Sequence, residues 1–445
     1  MDYNLILALL LGIIVLLFLI IKLKLHAFAS LLIASIVVGV VAGMDANAIM
    51  DTIKTGMANT LGFVATVVGL GAMFGAILEH SGGANVISKM MLKRFGVEKA
   101  PIAMVVSGFI IAIPVFFEVA FILLIPMVYA LQKQTGKSLL AFAIPLLAGL
   151  AVTHAFIPPT PGPIAVAEII GVDLGWVIAI GAAVGLPTAI VSGLLFGKYI
   201  SKKIFVTVPF EFDTEEENTL TPNFSTVIAI IAVPLVLILL STFVTSKIIP
   251  VTSEPIVNFI QLIGHPFSAL IIANILAWYI LGIRQNFTKE QLLKITIKSM
   301  EPAGMIILVT GAGGVFKQFL VNTGVGEMLA NSLADVGFPV LVFSFLIAAL
   351  VRITQGSATV AMITSAGLVS PLLAQMNFES FDLACIVISI AAGSSIFSHV
   401  NDSGFWLVNQ YLGLTEKQTF KSWTMMTTIL ALVGFACVSI LSAIF

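Results

Sequence analysis

Residues 154–171 read HAFIPPTPGPIAVAEIIG, and this stretch decides how the chain around it can fold. It contains four prolines and Gly162, and apolar runs flank it at Leu139–Ala151 and Trp176–Leu195. Proline cannot donate a backbone hydrogen bond and clashes with the preceding helical turn, so no continuous helix can pass through. In lipid, a broken backbone survives only where protein buries it or where it lines a watery cavity. The stretch therefore predicts a transport site at membrane depth, with a proline-rich surface loop as the alternative.

Composition places the chain in a membrane. Of its 445 residues, 59% are hydrophobic and 10% are charged, whereas soluble domains carry about 25% charged residues. At about 20 residues per span, the apolar runs predict an all-α polytopic membrane protein with about 10–12 transmembrane helices plus re-entrant or broken hairpins. The net charge of −1 indicates no basic surface for binding nucleic acid. Membrane lipid is the expected environment of the chain. Cys385 and Cys437 lie in apolar runs and indicate core residues rather than a metal site.

The two halves of the sequence resemble each other. HAFASLLIA at His26–Ala34 matches HPFSALIIA at His265–Ala273, and matched glycines recur at a nearly constant offset. A strongly acidic segment lies between the matched parts. We therefore predict two repeats, residues 1–205 and 224–445, joined by a linker at 198–223. Chance similarity between apolar segments is the alternative.

Loop charge predicts that the repeats are inverted. Lys and Arg favour the cytoplasmic side of a membrane. The loop Lys89–Lys99 is basic, whereas its partner Asn331–Pro339 has no Lys or Arg. In the other direction, Arg284–Lys298 is basic and its partner Met44–Thr55 holds one lysine. Equivalent loops should therefore lie on opposite sides, with both termini outside and the linker cytoplasmic, as in many secondary transporters.

Two apolar stretches, Pro101–Leu131 and Pro339–Ala374, are too short for two crossings although both ends of each fall on one side. Pro114–Glu118 interrupts the first stretch, and Arg352–Ser357 interrupts the second. We interpret them as re-entrant or broken hairpins. An ordinary span followed by one loop on the unexpected side is the alternative.

Ionisable groups inside membrane spans are costly, so each is a candidate for function. Glu118 lies in PVFFEVAF without a basic neighbour in sequence and is a candidate proton carrier. Arg352 lies in LVRITQG, and its guanidinium could hold a substrate carboxylate through two parallel hydrogen bonds. A structural carboxylate and an interfacial or ion-paired arginine are the alternatives. Lys317, in GVFKQF, is more consistent with a side chain that snorkels to the interface.

A second broken stretch, GSSIFSHVNDSGFWL at Gly393–Leu407, places several polar groups between apolar runs. Its hydroxyl, amide and carboxylate groups suit a polyhydroxylated ligand. His399 occupies the position equivalent to His154, which favours a role for both histidines. The segment GSATVAM at Gly356–Met362 adds two hydroxyls at a helix start, where unpaired backbone amides can bind anions.

These observations give a set of candidate site residues. The predicted substrate-binding residues are His154, Thr160, Gly162, Arg352, Ser357, Thr359, Ser398, His399 and Asn401. The predicted proton-coupling residues are Glu118 and Asp402. We predict that the two broken stretches meet near the membrane midplane, where unwound backbone and hydroxyls would hold the substrate. No cofactor is expected.

The sequence resembles the gluconate:proton symporter (GntP) family, within the larger ion transporter superfamily. The resemblance rests on HAFIPPTPGPIAVA at His154–Ala167, GSATVAM at Gly356–Met362 and SHVNDSGFWLV at Ser398–Val408. It implies a bacterial inner-membrane carrier that imports sugar acids such as gluconate by proton symport. It also implies scaffold and transport subdomains, a homodimer and elevator-like motion. The resemblance assigns no proton-binding residue.

Several alternatives stay open beside a proton-coupled gluconate carrier. Family resemblance also allows a fructuronate, glycerate or D-serine permease, and superfamily relatives allow a Na⁺-coupled carboxylate carrier. A channel would ignore an imposed proton gradient. A membrane-embedded enzyme is not expected, because the sequence has neither HExxH nor GxSxG, and it has no phosphate-binding loop of the Walker type.

Overall fold

The computed structural model describes residues 3–209, 222–325, 328, 339–373, 376–400 and 402–444. Regular structure in these ranges is helical throughout. Eight helices are long and apolar enough to cross a membrane, and six shorter apolar helices accompany them. The predicted all-α multi-pass fold is therefore confirmed.

Helices occupy most of the described chain. In the first half they run at Tyr3–Ile21, Ala27–Val41, Ala46–His80, Gly83–Phe95, Ala100–Ile111, Phe117–Thr135, Leu140–Phe156, Pro161–Ile170, Leu174–Ala189 and Phe196–Lys203. In the second half they run at Phe224–Thr245, Glu254–Gly264, Pro266–Leu276, Lys289–Lys298, Met300–Asn322, Val340–Gln355, Ala358–Leu373, Ser380–Gly393, Ser403–Tyr411, Glu416–Thr419 and Met425–Ile444. Short π-helical turns continue three of them at Ile190–Leu195, Ala277–Gly282 and Phe420–Thr424.

The proline-rich stretch interrupts a helix as predicted. Helix Leu140–Phe156 ends before the prolines, and a short helix begins again at Pro161 because proline fits the first turn, where its missing N–H is not needed. We call this pair the first broken helix. The second broken helix consists of Ser380–Gly393 and Ser403–Tyr411, separated by the serine-rich segment.

Both predicted hairpins are pairs of helices with a central break. The first hairpin consists of Ala100–Ile111 and Phe117–Thr135. The second consists of Val340–Gln355 and Ala358–Leu373, and its break lies at Gly356, whose φ of +92° is readily available only to glycine. The broken elements expected from sequence are thus present in both halves.

The broken helix of each half packs against the hairpin of the other half. Helix Pro161–Ile170 of the first broken helix packs against Ala358–Leu373 of the second hairpin. Helix Ser403–Tyr411 of the second broken helix contacts Phe117–Thr135 of the first hairpin. This reciprocal packing is what a pseudo-two-fold axis between repeats would produce. The repeat boundaries at 1–205 and 224–445 and the inverted orientation stay predictions.

Local structure at the matched histidines is also alike. His26 and His265 each precede a helix, and the ring Nδ1 of each accepts a hydrogen bond from the backbone N–H two residues later, at 3.2 and 3.3 Å. Both residues have extended backbone angles. The same histidine cap therefore starts helices Ala27–Val41 and Pro266–Leu276, in agreement with duplication at this point.

Several segments that we expected to be loops are helical. Most of the basic segment Lys89–Lys99 belongs to helix Gly83–Phe95, and most of Met44–Thr55 belongs to the 35-residue helix that ends at His80. Hydropathy missed these helices because charged residues such as Asp51, Lys54, Lys93 and Arg94 interrupt the apolar signal along them. The central part of the acidic linker, residues 210–221, lies outside the described residues.

Glycines allow the backbone of the first hairpin to contact the backbone of the first broken helix. A Cβ at Gly108 would lie 2.5 Å from the carbonyl oxygen of Leu146, and one at Gly149 would lie 2.3 Å from that of Val105. Small residues of this kind are typical where membrane helices pack closely. The hairpin tip is therefore positioned by close contact of two helix backbones.

We expect Gly108→Ala to destabilise the protein by about 1–3 kcal/mol, because the new methyl group would push these two backbones apart. A lowered midpoint in thermal unfolding of the purified protein would show this. Gly62→Ala is the matched control, since a methyl group added at this helical glycine would meet no described atom within 4 Å. Equal midpoints for the two variants would contradict the packing explanation.

Candidate functional site

A cavity of about 330 Å³ lies where the two hairpins and the two broken helices converge. Six of the predicted site residues line it: Glu118, His154, Arg352, Ser357, Thr359 and Asp402. The first hairpin supplies Glu118 and the first broken helix supplies His154, while the others come from the second half. The structure thus brings together residues that lie up to 284 positions apart in the sequence.

Arg352 is the buried cation of this cavity. It lies in the last turn of Val340–Gln355 with 4% of its surface exposed, and its Nη2 is 2.5 Å from Oδ2 of Asp402. Its Nε and Nη1 are buried and have no hydrogen-bond partner among the described residues. Buried donors without partners are costly, so each of these two nitrogens is available to an acceptor.

Asp402 is held from several directions. Its carboxylate accepts hydrogen bonds from the Arg352 guanidinium, from the Ser398 hydroxyl and from the backbone N–H of Gly404 at 3.1 Å. The last of these makes Asp402 the N-cap of Ser403–Tyr411, where the helix dipole favours negative charge. Trp423 donates from Nε1 to the Ser398 hydroxyl at 2.6 Å and so fixes that side chain. The ion pair is therefore a rigid part of the cavity wall.

His154 lies in the last turn before the proline-rich break, beside Glu118 of the first hairpin. Its Nδ1 is buried and has no hydrogen-bond partner among the described residues. Its ring centroid is 6.5 Å from that of Phe117, which in turn lies 5.5 Å from the indole of Trp423. The imidazole thus lies beside the ring of Phe117, while its Nδ1 has no partner in the described part of the chain.

The tip of the second hairpin presents a helix start to the cavity. After the break at Gly356, the Ser357 hydroxyl accepts a hydrogen bond from the backbone N–H of Val360, and the helix begins at Ala358. Thr359 lines the cavity in the first turn. The amino end of this helix supplies partial positive charge near Arg352, which reinforces a site for an anion.

Other predicted residues lie away from this cavity. The Thr160 hydroxyl donates to the carbonyl of Ile157 at 2.7 Å, and Gly162 lies against Met362. His399 approaches the carbonyl of Ile353 with Nε2 at 2.8 Å. Ser398 does not line the cavity and lies behind Asp402, while Asn401 falls outside the described residues. The two broken helices therefore share the cavity through His154 and Asp402, but the Thr160 end of the proline-rich break faces elsewhere.

Several other lining residues were not among the named site residues, although the serines among them belong to the polar stretch Gly393–Leu407 that was expected to suit the ligand. They are Gln355, Ser395, Ser403, Trp423 and Thr427. A signal was available for the last two, because the segment KSWTMMTT at 421–428 carries hydroxyls and an indole inside a membrane helix. Thr427 also accepts a hydrogen bond from the backbone N–H of Ser398 at 3.2 Å, so this helix supports the second broken helix directly.

Lys317 does not snorkel to the interface as expected. Its ammonium group donates to the carbonyl of Ile169, which also accepts a hydrogen bond from the Ser370 hydroxyl at 2.7 Å. These donors satisfy a carbonyl at the carboxyl end of Pro161–Ile170, where the helix leaves it unpaired. Lys317 therefore fastens helix Met300–Asn322 to the first broken helix.

Comparison with known proteins identifies relatives along the whole chain. The model of the GntP family permeases matches residues 4–444. A protein of Escherichia coli K12 named low-affinity gluconate transporter is 42% identical over 425 residues, which cover 95% of each chain. A protein of Pseudomonas aeruginosa named gluconate permease is 38% identical over 447 residues, with 100% of this chain and 98% of the relative covered.

A solved structure shows the same fold. MtrF of Neisseria gonorrhoeae, described as one of a class of antimetabolite efflux pumps, superposes with a TM-score of 0.69 at 17% sequence identity. The match covers 95% of this chain and 96% of MtrF. Together with the spanning helices and the bacterial relatives, these matches establish a multi-pass bacterial inner-membrane transporter and not an enzyme. The chain belongs to the GntP family of permeases.

Proposed function

We propose that this protein imports gluconate, or a closely related sugar-acid anion, together with protons. The observation that carries the proposal is the buried Arg352, whose Nε and Nη1 have no hydrogen-bond partner among the described residues although the residue lines the cavity. A carboxylate is planar and accepts two parallel hydrogen bonds from a fork of the guanidinium, and each fork combines one of these two nitrogens with the second hydrogen of Nη2. The names of the relatives from Escherichia coli and Pseudomonas aeruginosa support gluconate as the substrate.

The remainder of the cavity suits a hydroxylated chain. Five lining residues carry hydroxyl groups: Ser357, Thr359, Ser395, Ser403 and Thr427. His154 adds a ring nitrogen, Nδ1, that has no hydrogen-bond partner among the described residues. A hydroxyl can take part in more than one hydrogen bond, so these groups can bind several substrate hydroxyls in addition to their protein partners, whereas an apolar carboxylate would use none of them. The cavity volume also lies within the range of small-molecule sites.

The charge balance of the cavity supports proton coupling. In the absence of substrate, Asp402 neutralises Arg352 through their ion pair. An arriving anion would compete for the same cation and leave one unbalanced negative charge in a buried site. Like charges disfavour ionised carboxylates, so a proton would be taken up by Asp402 or Glu118. One proton would then be transported with each monovalent anion. The net charge of the site would be the same with and without substrate.

Transport in reconstituted vesicles tests this function. Gluconate should accumulate against its gradient when a pH gradient is imposed, and fructuronate, glycerate and D-serine should compete less well. Accumulation driven only by a sodium gradient would favour the Na⁺-coupled alternative. Flux that never exceeds equilibration under either gradient would indicate a channel and reject the proposal. The homodimer, which the family resemblance implies, and the opposite orientation of the two halves, which loop charge predicts, belong to the same proposal.

We expect His154→Gln to raise the apparent KM for gluconate about tenfold, because a net hydrogen bond to a substrate hydroxyl contributes roughly 1–1.5 kcal/mol. Initial uptake rates over a range of gluconate concentrations measure the change. His399→Gln is the control, since it removes the equivalent histidine, which lies away from the cavity. A larger effect at His399 than at His154 would show that substrate does not occupy this cavity.

A further inference from the structure

A second cavity, of about 650 Å³, lies at the edge of the membrane-spanning region, away from the site described above. It is enclosed by the base of the first hairpin, the loop that follows this hairpin, and the last turns of the long helix ending at Lys203. Four lysines line it: Lys99, Lys137, Lys198 and Lys202. The proposed transport reaction uses none of them.

Within the described part of the chain, the positive charge that lines this cavity is only partly compensated. Glu98 is the single acidic residue among its described lining residues. None of the four lysines forms an ion pair with a described residue. Lys198 and Lys202 are also four positions apart on one helix, where like charges repel each other. A bound anion would remove this repulsion.

The cavity wall changes from basic to apolar along a single helix face. Lys202 and Lys198 are followed, toward the membrane, by Leu194, and exposed Ile190 and Leu186 continue the stripe. Side chains at intervals of four residues share one side of a helix. The π-helical turn at Ile190–Leu195 takes up one extra residue, so Leu195, which is 61% exposed and five positions after Ile190, continues the stripe beside Leu194. The lysines thus lie at one end of an apolar track, which we define as the exposed side chains between Leu186 and Leu195. A phospholipid has the same arrangement, with its charged phosphate at one end of its apolar acyl chains.

We propose that this cavity binds an anionic phospholipid, with its phosphate between the lysines and its acyl chains along the Leu186–Leu195 track. Basic pockets between membrane helices on the cytoplasmic side are suited to anionic headgroups. A small soluble anion would use the lysines but leave the apolar track uncovered. The first hairpin begins at this cavity and carries Glu118 at its other end. A lipid bound here would therefore hold in place the base of the hairpin that lines the proposed transport site.

Thermal unfolding of the purified full-length protein in neutral detergent tests the proposal. Phosphatidylglycerol should raise the midpoint, whereas phosphatidylcholine with the same acyl chains should not. The double variant Lys198→Gln/Lys202→Gln should need at least tenfold more phosphatidylglycerol for the same shift. Lys289→Gln/Lys294→Gln is the matched control, because it removes two exposed lysines from another helix and should respond like the unmodified protein.

Two further measurements distinguish a phospholipid from a small soluble anion as the ligand of this cavity. Inorganic phosphate and glycerol phosphate should have no effect at concentrations where phosphatidylglycerol is saturating; an equal shift with either would overturn the lipid assignment. Neutralising the acidic side chains of the linker at 211–217 should not weaken the response to lipid. If the Lys198/Lys202 variant and its control respond alike, or if native mass spectrometry shows equal retention of phosphatidylglycerol by both, the site is not where we place it.

Discussion

Replacement of Arg352 with glutamine is expected to reduce gluconate uptake at least about 100-fold, because two charge-assisted hydrogen bonds to the carboxylate are worth about 3 kcal/mol or more. The same change should lower stability. It leaves the Asp402 carboxylate buried without its cation, and breaking a buried ion pair from one side costs about 3–5 kcal/mol. Uptake rates and thermal unfolding of the same preparation measure the two effects together.

Two further variants separate substrate binding from folding. Arg352→Lys keeps the positive charge but not the planar fork, so it should retain most of the stability and lose much of the affinity. The double change Arg352→Gln/Asp402→Asn removes both charges and should recover stability without recovering uptake. If the double variant transports gluconate with an unchanged apparent KM, the guanidinium does not hold the substrate and its role is structural.

The elements of the fold could be predicted because they depend on backbone chemistry that the sequence displays. Prolines after residue 157 forbid a continuous helix whatever surrounds them, and Gly356 lies at a break that its positive φ confirms. Ionisable residues inside apolar runs were equally visible, because their cost in a membrane does not depend on the details of packing. Glu118 and Arg352 were found in this way, and both line the cavity.

Side-chain direction could not be predicted in the same manner. Thr160 lies only six residues from His154, yet its hydroxyl bonds to the backbone of its own turn while His154 lines the cavity. The pairing of Arg352 with Asp402 joins two elements 50 residues apart and leaves no periodic signal. The expectation for Lys317 was wrong for the same reason, because its partner Ile169 offers a backbone carbonyl, which every residue type carries.

The Arg352–Asp402 pair explains how one site could serve both binding and coupling. The guanidinium is shared: Asp402 holds Nη2, while Nε and Nη1 have no partner among the described residues. An anion that accepts a hydrogen bond from Nε or Nη1 therefore does not need to displace Asp402, but it places two negative groups on one cation. Glu118 lines the same cavity from the first hairpin and is the second carboxylate on which a proton could compensate that charge.

Asp402→Asn is expected to keep gluconate exchange while losing accumulation driven by a proton gradient. Asparagine cannot take up the compensating proton, but the Arg352 guanidinium stays available, so the anion should bind at least as tightly as before. In vesicles with the membrane potential clamped at zero, counterflow of labelled gluconate should persist, and net uptake should stop when the inside and outside concentrations are equal. Gly404 keeps its capping partner, because the asparagine side chain still offers an oxygen to its backbone N–H.

Glu118→Gln, measured in the same vesicles, decides which carboxylate carries the proton. If Asp402 is the carrier, Glu118→Gln should still accumulate gluconate under a pH gradient, with at most an altered KM. The opposite pattern, with accumulation retained in Asp402→Asn and lost in Glu118→Gln, would move the proton to the first hairpin. Accumulation in both single variants and in the double variant would show that neither carboxylate couples transport to protons, and the charge-balance mechanism would be wrong.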